Sequence, residues 1–370
     1  MNTHDSSRHF DRRRGIRYVN LITVLFIAVL LNLQSLNIQG KERVEGESAF
    51  KLTTVSRLKE PSYSREIEDF YERGTEGTFE GEAGVPIYFK IFRQQGTGPA
   101  IMISSGRTEA AIKYKELIFD LFNNGYSVYI HDHRGQGLSG RMTEDPDMGY
   151  IDSFRFYVND MKSFYEGFVR PAGHSRVYLM AHSMGGAIGM TYLEQYPEDF
   201  DAAVFSSPML GLDPPICTLA ALLNGKKPRY APGKSGYDPE AEAIFEGNTL
   251  TGSEIRFRRA YEAYSRVPEA RLGGPSIQWV HRSCKQFGDL FDHIDQLETP
   301  FILFSAENEQ IVDPKAHSKF ISRAQELGKR CELHPIGDAQ HELFIEKDPQ
   351  RTEVLNASLQ FFELERSSGT

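Results

Sequence analysis

The chain has 370 residues, 40% of them hydrophobic and 25% charged, so it is long enough to bury a large core and is ordinary for a globular protein. A formal net charge of −9 argues against nucleic acid as a partner, because nucleic acid requires a basic face. Cys217, Cys284 and Cys331 form no C-x-x-C pair, which excludes a zinc ribbon and a disulfide framework. Their number is compatible with one disulfide and one free thiol.

The first forty residues join a basic stretch to an apolar one. Several arginines, including Arg12 and Arg17, precede the apolar run from Leu21 to Leu31. A positive flank before a short apolar run is typical of a signal peptide, or of a signal anchor if residues 32–38 also enter the membrane. Since no clear small-residue cleavage site follows, we predict for residues 1–40 an uncleaved anchor, with the bulk of the chain exported.

A charged segment without strong periodicity follows at residues 41–77, and we expect it to be a linker with some helix near residues 63–71. Two strands then flank a turn at residues 81–84. Further on, buried strands alternate with amphipathic helices up to residue 209; the strands are at residues 99–104, 126–130, 177–181 and 202–206, and the helices at 111–123 and 153–169. This alternation predicts a parallel sheet covered by helices on both faces.

The alternation lapses between residues 210 and 297, where prolines and glycines are frequent but amphipathic segments persist. A long interruption of this kind predicts an inserted cap. Strands at residues 300–305 and 331–335 and helices at 314–327 and 344–365 complete the pattern. We therefore predict an α/β core formed by residues 78–209 and 298–365, with a cap at 210–297.

One serine lies at the junction between a strand and a helix. An apolar strand ends at Ala181, and helix-forming residues resume after Gly186, which places Ser183 at the apex of a sharp turn. Ala181 and Gly185 are small, as the close approach of strand and helix requires. The pattern predicts a nucleophile elbow, although a serine in a tight turn before a glycine-rich helix would leave the same local signature.

A nucleophilic serine needs a base, and the base needs an acid. His341 lies in a loop between the last strand and the last helix, from which it could reach over the edge of the sheet. Two candidate acids follow the strand at residues 300–305. Glu309 comes soon after the strand end, and Asp313 precedes Pro314, where it could also be a helix N-cap. The sequence leaves both as candidate acids.

The backbone N–H groups of Arg107 and Met184 are the predicted oxyanion donors. Arg107 follows the strand expected beside the elbow, and Met184 begins the helix after Ser183. The run from His131 to His133 could suggest a metal site, but no further ligand follows at suitable spacing, so we interpret it as a structural strand end.

Several motifs together resemble those of the bacterial membrane lysophospholipases, in the monoglyceride-lipase-like branch of the α/β-hydrolases. They are Ser-Ser-Gly-Arg at residues 104–107, His-Arg-Gly-Gln-Gly-Leu-Ser-Gly-Arg at 133–141, Ala-His-Ser-Met-Gly-Gly-Ala at 181–187, and Gly-Gly-Pro at 273–275 with Trp279 and Val280. The resemblance covers residues 78–365. It implies a mostly parallel eight-stranded sheet with helices on both faces and an inserted cap.

The resemblance also implies a function: cleavage of the acyl ester of lysophospholipids or monoacylglycerols through an acyl-enzyme, with no cofactor and no metal. By position, Ser183 is the nucleophile, His341 the base, and Arg107 and Met184 the oxyanion donors. In the wider branch an aspartate stands where Glu309 stands here, and a second aspartate is often found at the place of Asp313. The implied partners are a lipid substrate and a membrane surface. The N-terminal segment, which the resemblance does not cover, predicts a location at the bacterial inner membrane, or in the periplasm if the segment is cleaved.

Two other functions fit the same residues. One is a carboxylesterase for short soluble esters, and the other is a low-turnover binding or sensor homologue that keeps the fold. The complete set of nucleophile, base, acid and oxyanion positions argues against the sensor, because a binding protein would not need it. The sequence does not specify the head group or the oligomeric state.

Overall fold

The computed structural model describes residues 48–368. The predicted N-terminal anchor, residues 1–40, lies outside the described residues. Within residues 48–368 no helix is both long and apolar enough to span a bilayer.

Eight strands form a single mixed sheet with the order β1-β2-β4-β3-β5-β6-β7-β8. The strands are β1 (Thr75–Glu80), β2 (Pro86–Phe92), β3 (Ala100–Ser104), β4 (Ser127–His131), β5 (Val177–His182), β6 (Ala202–Ser206), β7 (Phe301–Ala306) and β8 (Cys331–Ile336). The β1–β2 and β2–β4 pairs are antiparallel, and the pairs from β4 to β8 are parallel. The predicted mostly parallel eight-stranded sheet is therefore confirmed.

Helices cover both faces of the sheet. In chain order they are α1 (Val55–Leu58), α2 (Pro61–Glu72), α3 (Lys115–Asn123), α4 (Arg155–Phe164), α5 (Met184–Gln195), α6 (Pro214–Leu223), α7 (Pro239–Glu242), α8 (Glu254–Arg266), α9 (Ile277–Asp292), α10 (Pro314–Glu326) and α11 (Asp348–Ser368). One buried cluster joins the sheet to α4, α5, α9 and α10, and a second joins the opposite face to α2, α3 and α11. Both faces are buried because strand side chains alternate in direction, so each face presents its own apolar set.

The predicted linker is folded in its described part. Residues 48–77 include α1, α2 and the start of β1, and Ile67 in α2 is fully buried. Phe70 stacks on Phe92 of β2 with ring centres 5.1 Å apart. The sequence did not predict this packing, because the segment is rich in charged residues and α2 contacts the core through only a few apolar ones.

Helices α6 to α9 lie between β6 and β7, in the segment predicted as a cap. A disulfide between Cys217 and Cys284 joins α6 to α9, while Cys331 carries a free thiol. A short bridge between Gly149 and Pro275 ties the segment to the core, and another, between Tyr230 and Ser276, lies within the segment. The carboxyl ends of the parallel strands therefore lie next to residues from both the core and the cap.

Candidate active site

Ser183 lies in the sharp turn between β5 and α5. Its backbone has φ 50° and ψ −118°, a conformation that is strained for a residue with a side chain. The turn is held from both sides, since the Ser183 N–H donates to the Ser206 carbonyl at 3.1 Å and the Met209 N–H donates to the Ser183 carbonyl at 2.8 Å. Ser183 is 7% exposed. This strained turn fixes the hydroxyl at the carboxyl edge of the sheet.

The small residues around the turn allow close packing. A Cβ atom on Gly185 would lie 2.2 Å from the carbonyl oxygen of Ser104, so only glycine lets the first turn of α5 approach the end of β3. Ala181 is fully buried in β5 and pairs in register with Ser104. The loops that follow β3 and β5 therefore begin side by side, as the elbow motif predicts.

His341 bridges Ser183 and Glu309. Its Nε2 is 2.9 Å from the Ser183 Oγ, and its Nδ1 is 2.7 Å from the Glu309 Oε2. Since a carboxylate only accepts, Nδ1 carries the proton and donates it to Glu309, which leaves Nε2 free to accept from the serine. His341 is buried, and the Glu309 side chain has no exposed surface. A continuous hydrogen-bond chain thus runs from serine to carboxylate, and its histidine and carboxylate are shielded from bulk water.

The Glu309 carboxylate is ionised. Burial would raise its pKa, but the hydrogen bond and charge of His341 act in the opposite direction, as do the N–H groups of Ile311 and Val312. These N–H groups donate to Oε1 at 2.8 and 3.2 Å. Together they bring the pKa of Glu309 to about 2, so the acid stays negatively charged whenever His341 takes a proton.

The other candidate acid, Asp313, has a different partner. Its side chain accepts the N–H of Lys315 at 3.0 Å and forms the N-cap of α10. Both ring nitrogens of His341 are already occupied by Ser183 and Glu309. The structure therefore brings Glu309, and not Asp313, to the histidine; Asp313 is fixed by the helix that it caps.

The loop after β3 is tied to its surroundings at Gly106. The Gly106 N–H donates to Glu109 at 2.5 Å, and the Gly106 carbonyl accepts from Gln136 at 2.7 Å. Within residues 48–368, the N–H groups of Arg107 and Met184 have no hydrogen-bond partner. The two predicted oxyanion donors are therefore free, and the backbone preceding Arg107 is held in place.

A buried charge network connects this loop to the histidine loop. Lys113 donates to Glu109 at 2.7 Å and to Glu342 at 2.5 Å, and all three side chains are buried. Burial by itself would lower the pKa of Lys113, but the charges of Glu109 and Glu342 reverse this and raise it. Glu342 directly follows His341, so one ammonium group links the loop after β3 to the loop after β8.

Oxygen and nitrogen atoms of Glu109, His182 and Glu342 lie within 4.8 Å of one another, which is a spacing that could hold a metal ion. The Lys113 ammonium already supplies the positive charge between the two carboxylates. Burial lowers the pKa of His182 to about 4, and its Nδ1 lies 3.0 Å from the Ser206 carbonyl. The ammonium of Lys113 therefore already contacts both carboxylates of this cluster.

Sequence reasoning missed this network. Glu109 and Lys113 have the four-residue spacing of a helical ion pair, a signal that could have suggested their contact, although Glu109 precedes the helical turn at Ala111–Tyr114. Glu342 gave no such signal, because it lies far away in the chain and reaches Lys113 only through the fold.

The run from His131 to His133 lies at the end of β4, beside the loop after β3. Within the described part of the chain, neither ring nitrogen of His131 has a partner. Asp132 accepts the N–H groups of Ala111 and Leu138, both at 2.7 Å, and the His133 Nε2 is 3.1 Å from the Ser104 hydroxyl. These contacts fix the loops beside the site.

Comparison with known proteins identifies relatives. The model of the Hydrolase_4 family, described as serine aminopeptidase, S33, matches residues 97–348. Lysophospholipase L2 of Escherichia coli (strain K12) is 34% identical over 337 residues, which are 89% of this chain and 96% of the relative. Monoglyceride lipase of Homo sapiens is 21% identical over 252 residues, which are 68% of this chain and 78% of the relative.

A solved structure has the same fold. It is a soluble variant of monoglyceride lipase from Saccharomyces cerevisiae in complex with a substrate analogue. The TM-score is 0.62 at 21% identity, with 79% of this chain and 96% of that chain covered. The expected α/β-hydrolase fold and the resemblance to bacterial lysophospholipases are thus confirmed. The chain belongs to the Hydrolase_4 family of α/β-hydrolases and is a carboxylic ester hydrolase.

Proposed function

We propose that this protein hydrolyses the acyl ester of lysophospholipids or monoacylglycerols, with Ser183 as nucleophile, His341 as general base and Glu309 as the acid of the triad. The observation that carries the proposal is the hydrogen-bond chain from Ser183 through His341 to Glu309. The names of the relatives, lysophospholipase L2 and monoglyceride lipase, support the substrate class.

The reaction has two steps. His341 takes the Ser183 proton as the hydroxyl attacks the ester carbonyl, and the negative charge that develops on the carbonyl oxygen is stabilised by the N–H groups of Arg107 and Met184. The protonated His341, stabilised by the ionised Glu309, then gives its proton to the leaving alcohol. Water attacks the acyl-enzyme by the same route, which releases the fatty acid and restores Ser183.

We test the proposal by product analysis of purified protein on lysophosphatidylcholine, lysophosphatidylethanolamine and monoacylglycerol, each beside the Ser183→Ala variant. Fatty acid released by the wild type alone is the expected result. Release from short soluble esters only would favour the carboxylesterase alternative. A folded protein that cleaves none of these substrates would favour the sensor alternative, and melting curves of both proteins control for folding.

The proposal extends to location. The apolar run before residue 40 anchors the chain in the inner membrane of the bacterium, and the hydrolase lies on its oxidising, periplasmic side. The disulfide between Cys217 and Cys284 supports that side, because disulfides persist in oxidising compartments. Alkylation of thiols in intact cells under non-reducing conditions tests it: labelling of Cys331 alone is expected, whereas labelling of all three cysteines would contradict an oxidising location.

The membrane surface is the proposed partner of the cap. Helix α6 exposes three apolar side chains at helical spacing, Ile216 at 43%, Leu219 at 44% and Leu222 at 80%. Such a face gains free energy when it enters a lipid interface. In protein that lacks residues 1–40, so that the proposed anchor does not contribute, we expect Leu219→Ser with Leu222→Ser to weaken binding to phospholipid vesicles in a flotation assay. Unchanged flotation would contradict this contact.

A further inference from the structure

The side chain of Arg107 has no part in the mechanism above, which uses only its backbone. It lies between the loop after β3 and the cap. Its Nη2 donates to the Gly273 carbonyl at 2.5 Å, and its guanidinium lies over the Trp279 ring, 5.2 Å from the ring centre. Trp279 is itself fixed, since its Nε1 donates to the Tyr157 hydroxyl at 3.2 Å. The guanidinium is therefore held in a defined position beside the oxyanion loop.

Most of the hydrogen-bonding capacity of Arg107 is unused. An arginine has five N–H donors, and this one makes a single hydrogen bond to protein. Within residues 48–368, Nε is buried without a partner and Nη1 also has none. A buried donor without a partner is costly, so a structural role for Arg107 alone does not explain the unpaired Nε.

The fully buried arginines of the described residues have charged partners. Each of the three fully buried ones pairs with a carboxylate: Arg134 with Asp160, Arg256 with Glu116, and Arg351 with Asp120. The half-buried Arg141 donates to four backbone carbonyls, two of them in the cap at Glu269 and Arg271. Arg107 differs from both groups, since it has neither a carboxylate nor a full set of carbonyls.

The charge of Arg107 is also uncompensated. Among the described residues, no carboxylate lies within ion-pair distance of its guanidinium, and Glu242, an exposed residue of α7, acts on it only at longer range. Burial lowers the pKa of Arg107 to about 10, against the opposing charges of Tyr157 and Glu242. Arg107 is therefore a cation at neutral pH with donors available for an anion.

A cavity beside the same loop has an arginine of the cap in its wall. This cavity has a volume of about 80 Å³ and is lined by Thr108, the residue after Arg107, and by Arg271 of the cap. Arg271 donates through Nε to the Tyr264 carbonyl at 2.9 Å, and its guanidinium lies 5.1 Å from the centre of the Tyr237 ring. Glu242, Lys113 and Glu342 also line the cavity, but Lys113 is neutralised by its two carboxylates.

We propose that the Arg107 guanidinium binds the phosphate of a lysophospholipid head group while the Arg107 N–H binds the ester oxyanion. The inference rests on the proposed function and selects phosphate-bearing substrates within it. The ester carbon and the phosphorus of a 1-acyl lysophospholipid are separated by as many bonds as the backbone nitrogen and guanidinium carbon of an arginine. The Arg107 side chain therefore has a length that matches the separation of ester and phosphate, and guanidinium groups commonly bind phosphate in a bidentate manner.

The test compares two substrates with the same acyl chain, 1-oleoyl lysophosphatidylethanolamine and 1-oleoylglycerol, in the same neutral detergent micelles. The measured quantity is the ratio of their kcat/KM values for wild type, Arg107→Gln and Arg107→Lys. We expect Arg107→Gln to lower the ratio about 10- to 100-fold, mainly through KM for the phospholipid, because a charge-assisted hydrogen bond is lost. Arg107→Lys retains the charge and should recover part of it.

Arg141→Gln is the matched control, because it removes a half-buried arginine that also contacts the cap but whose donors are already satisfied. Its ratio should equal that of wild type. An unchanged ratio in Arg107→Gln, or equal losses on both substrates, would overturn the proposal and leave Arg107 as a cap contact. Inorganic phosphate could also inhibit 1-oleoylglycerol hydrolysis in wild type but not in Arg107→Gln, with the same kcat/KM ratio in both proteins. This result would assign the site to free phosphate and would also overturn the proposal. If the wild type cleaves neither lipid, the proposed function itself has failed.

Discussion

Replacing Glu309 with glutamine removes the negative charge that faces His341 while keeping the size of the side chain. The site lowers the pKa of this carboxyl from 4.5 to about 2 in spite of its burial. That difference corresponds to roughly 3 kcal/mol in favour of the charged form, and a loss of this size in the transition state lowers kcat about 10²-fold. The amide also disturbs the orientation and tautomer of His341, which brings the expected loss to as much as about 10⁴-fold.

The matched control is Asp313→Asn. Asparagine is as good an N-cap as aspartate, so α10 should keep its first turn and kcat should stay within about twofold of wild type. Glu309→Asp retains the charge one methylene further from His341 and should fall between the two. The assay is steady-state hydrolysis of a soluble chromogenic ester, with melting curves for all variants. A large loss in Asp313→Asn together with a small loss in Glu309→Gln would refute the assignment of Glu309 as the acid.

Three further predictions concern stability. Lys113→Met leaves two buried carboxylates without their cation and should lower the free energy of unfolding by about 3 to 5 kcal/mol, measured in urea. Adding Glu342→Gln should recover part of the lost stability, and no recovery would argue against the charge network. Burial lowers the pKa of His131 well below 6.5, with a smaller effect of the neighbouring His133. As the pH falls below 6.5, His131 is therefore protonated only in the unfolded state, and the free energy of unfolding falls by up to about 1.4 kcal/mol per pH unit. His131→Phe should therefore lose less stability than wild type between pH 7.5 and 5, and parallel losses would contradict the reasoning. Replacing Cys217 and Cys284 with serine removes a disulfide that links residues 67 positions apart, and it should lower the free energy of unfolding by about 4 kcal/mol relative to the oxidised wild type. Urea unfolding measures this loss, and an unchanged midpoint would contradict the prediction.

The sequence determined the features that depend on neighbouring residues. The elbow at Ser183 was predictable because a buried strand, a serine between small residues and a helix start occur within a few positions. The alternation of strands and helices predicted the sheet, since each segment carries its own apolar pattern. His341 was predictable from its place in the loop between the last strand and the last helix.

The tertiary structure decided the features that depend on residues far apart in the chain. Glu309 and Asp313 lie in the same loop and have the same charge, and only the packing of that loop against the His341 loop shows which carboxylate reaches the imidazole. The contact of Lys113 with Glu342 joins two loops that no local pattern relates. The free donors of Arg107 are likewise visible only once its neighbours are known, because hydrogen bonding and burial are properties of a side chain's surroundings and not of its residue type.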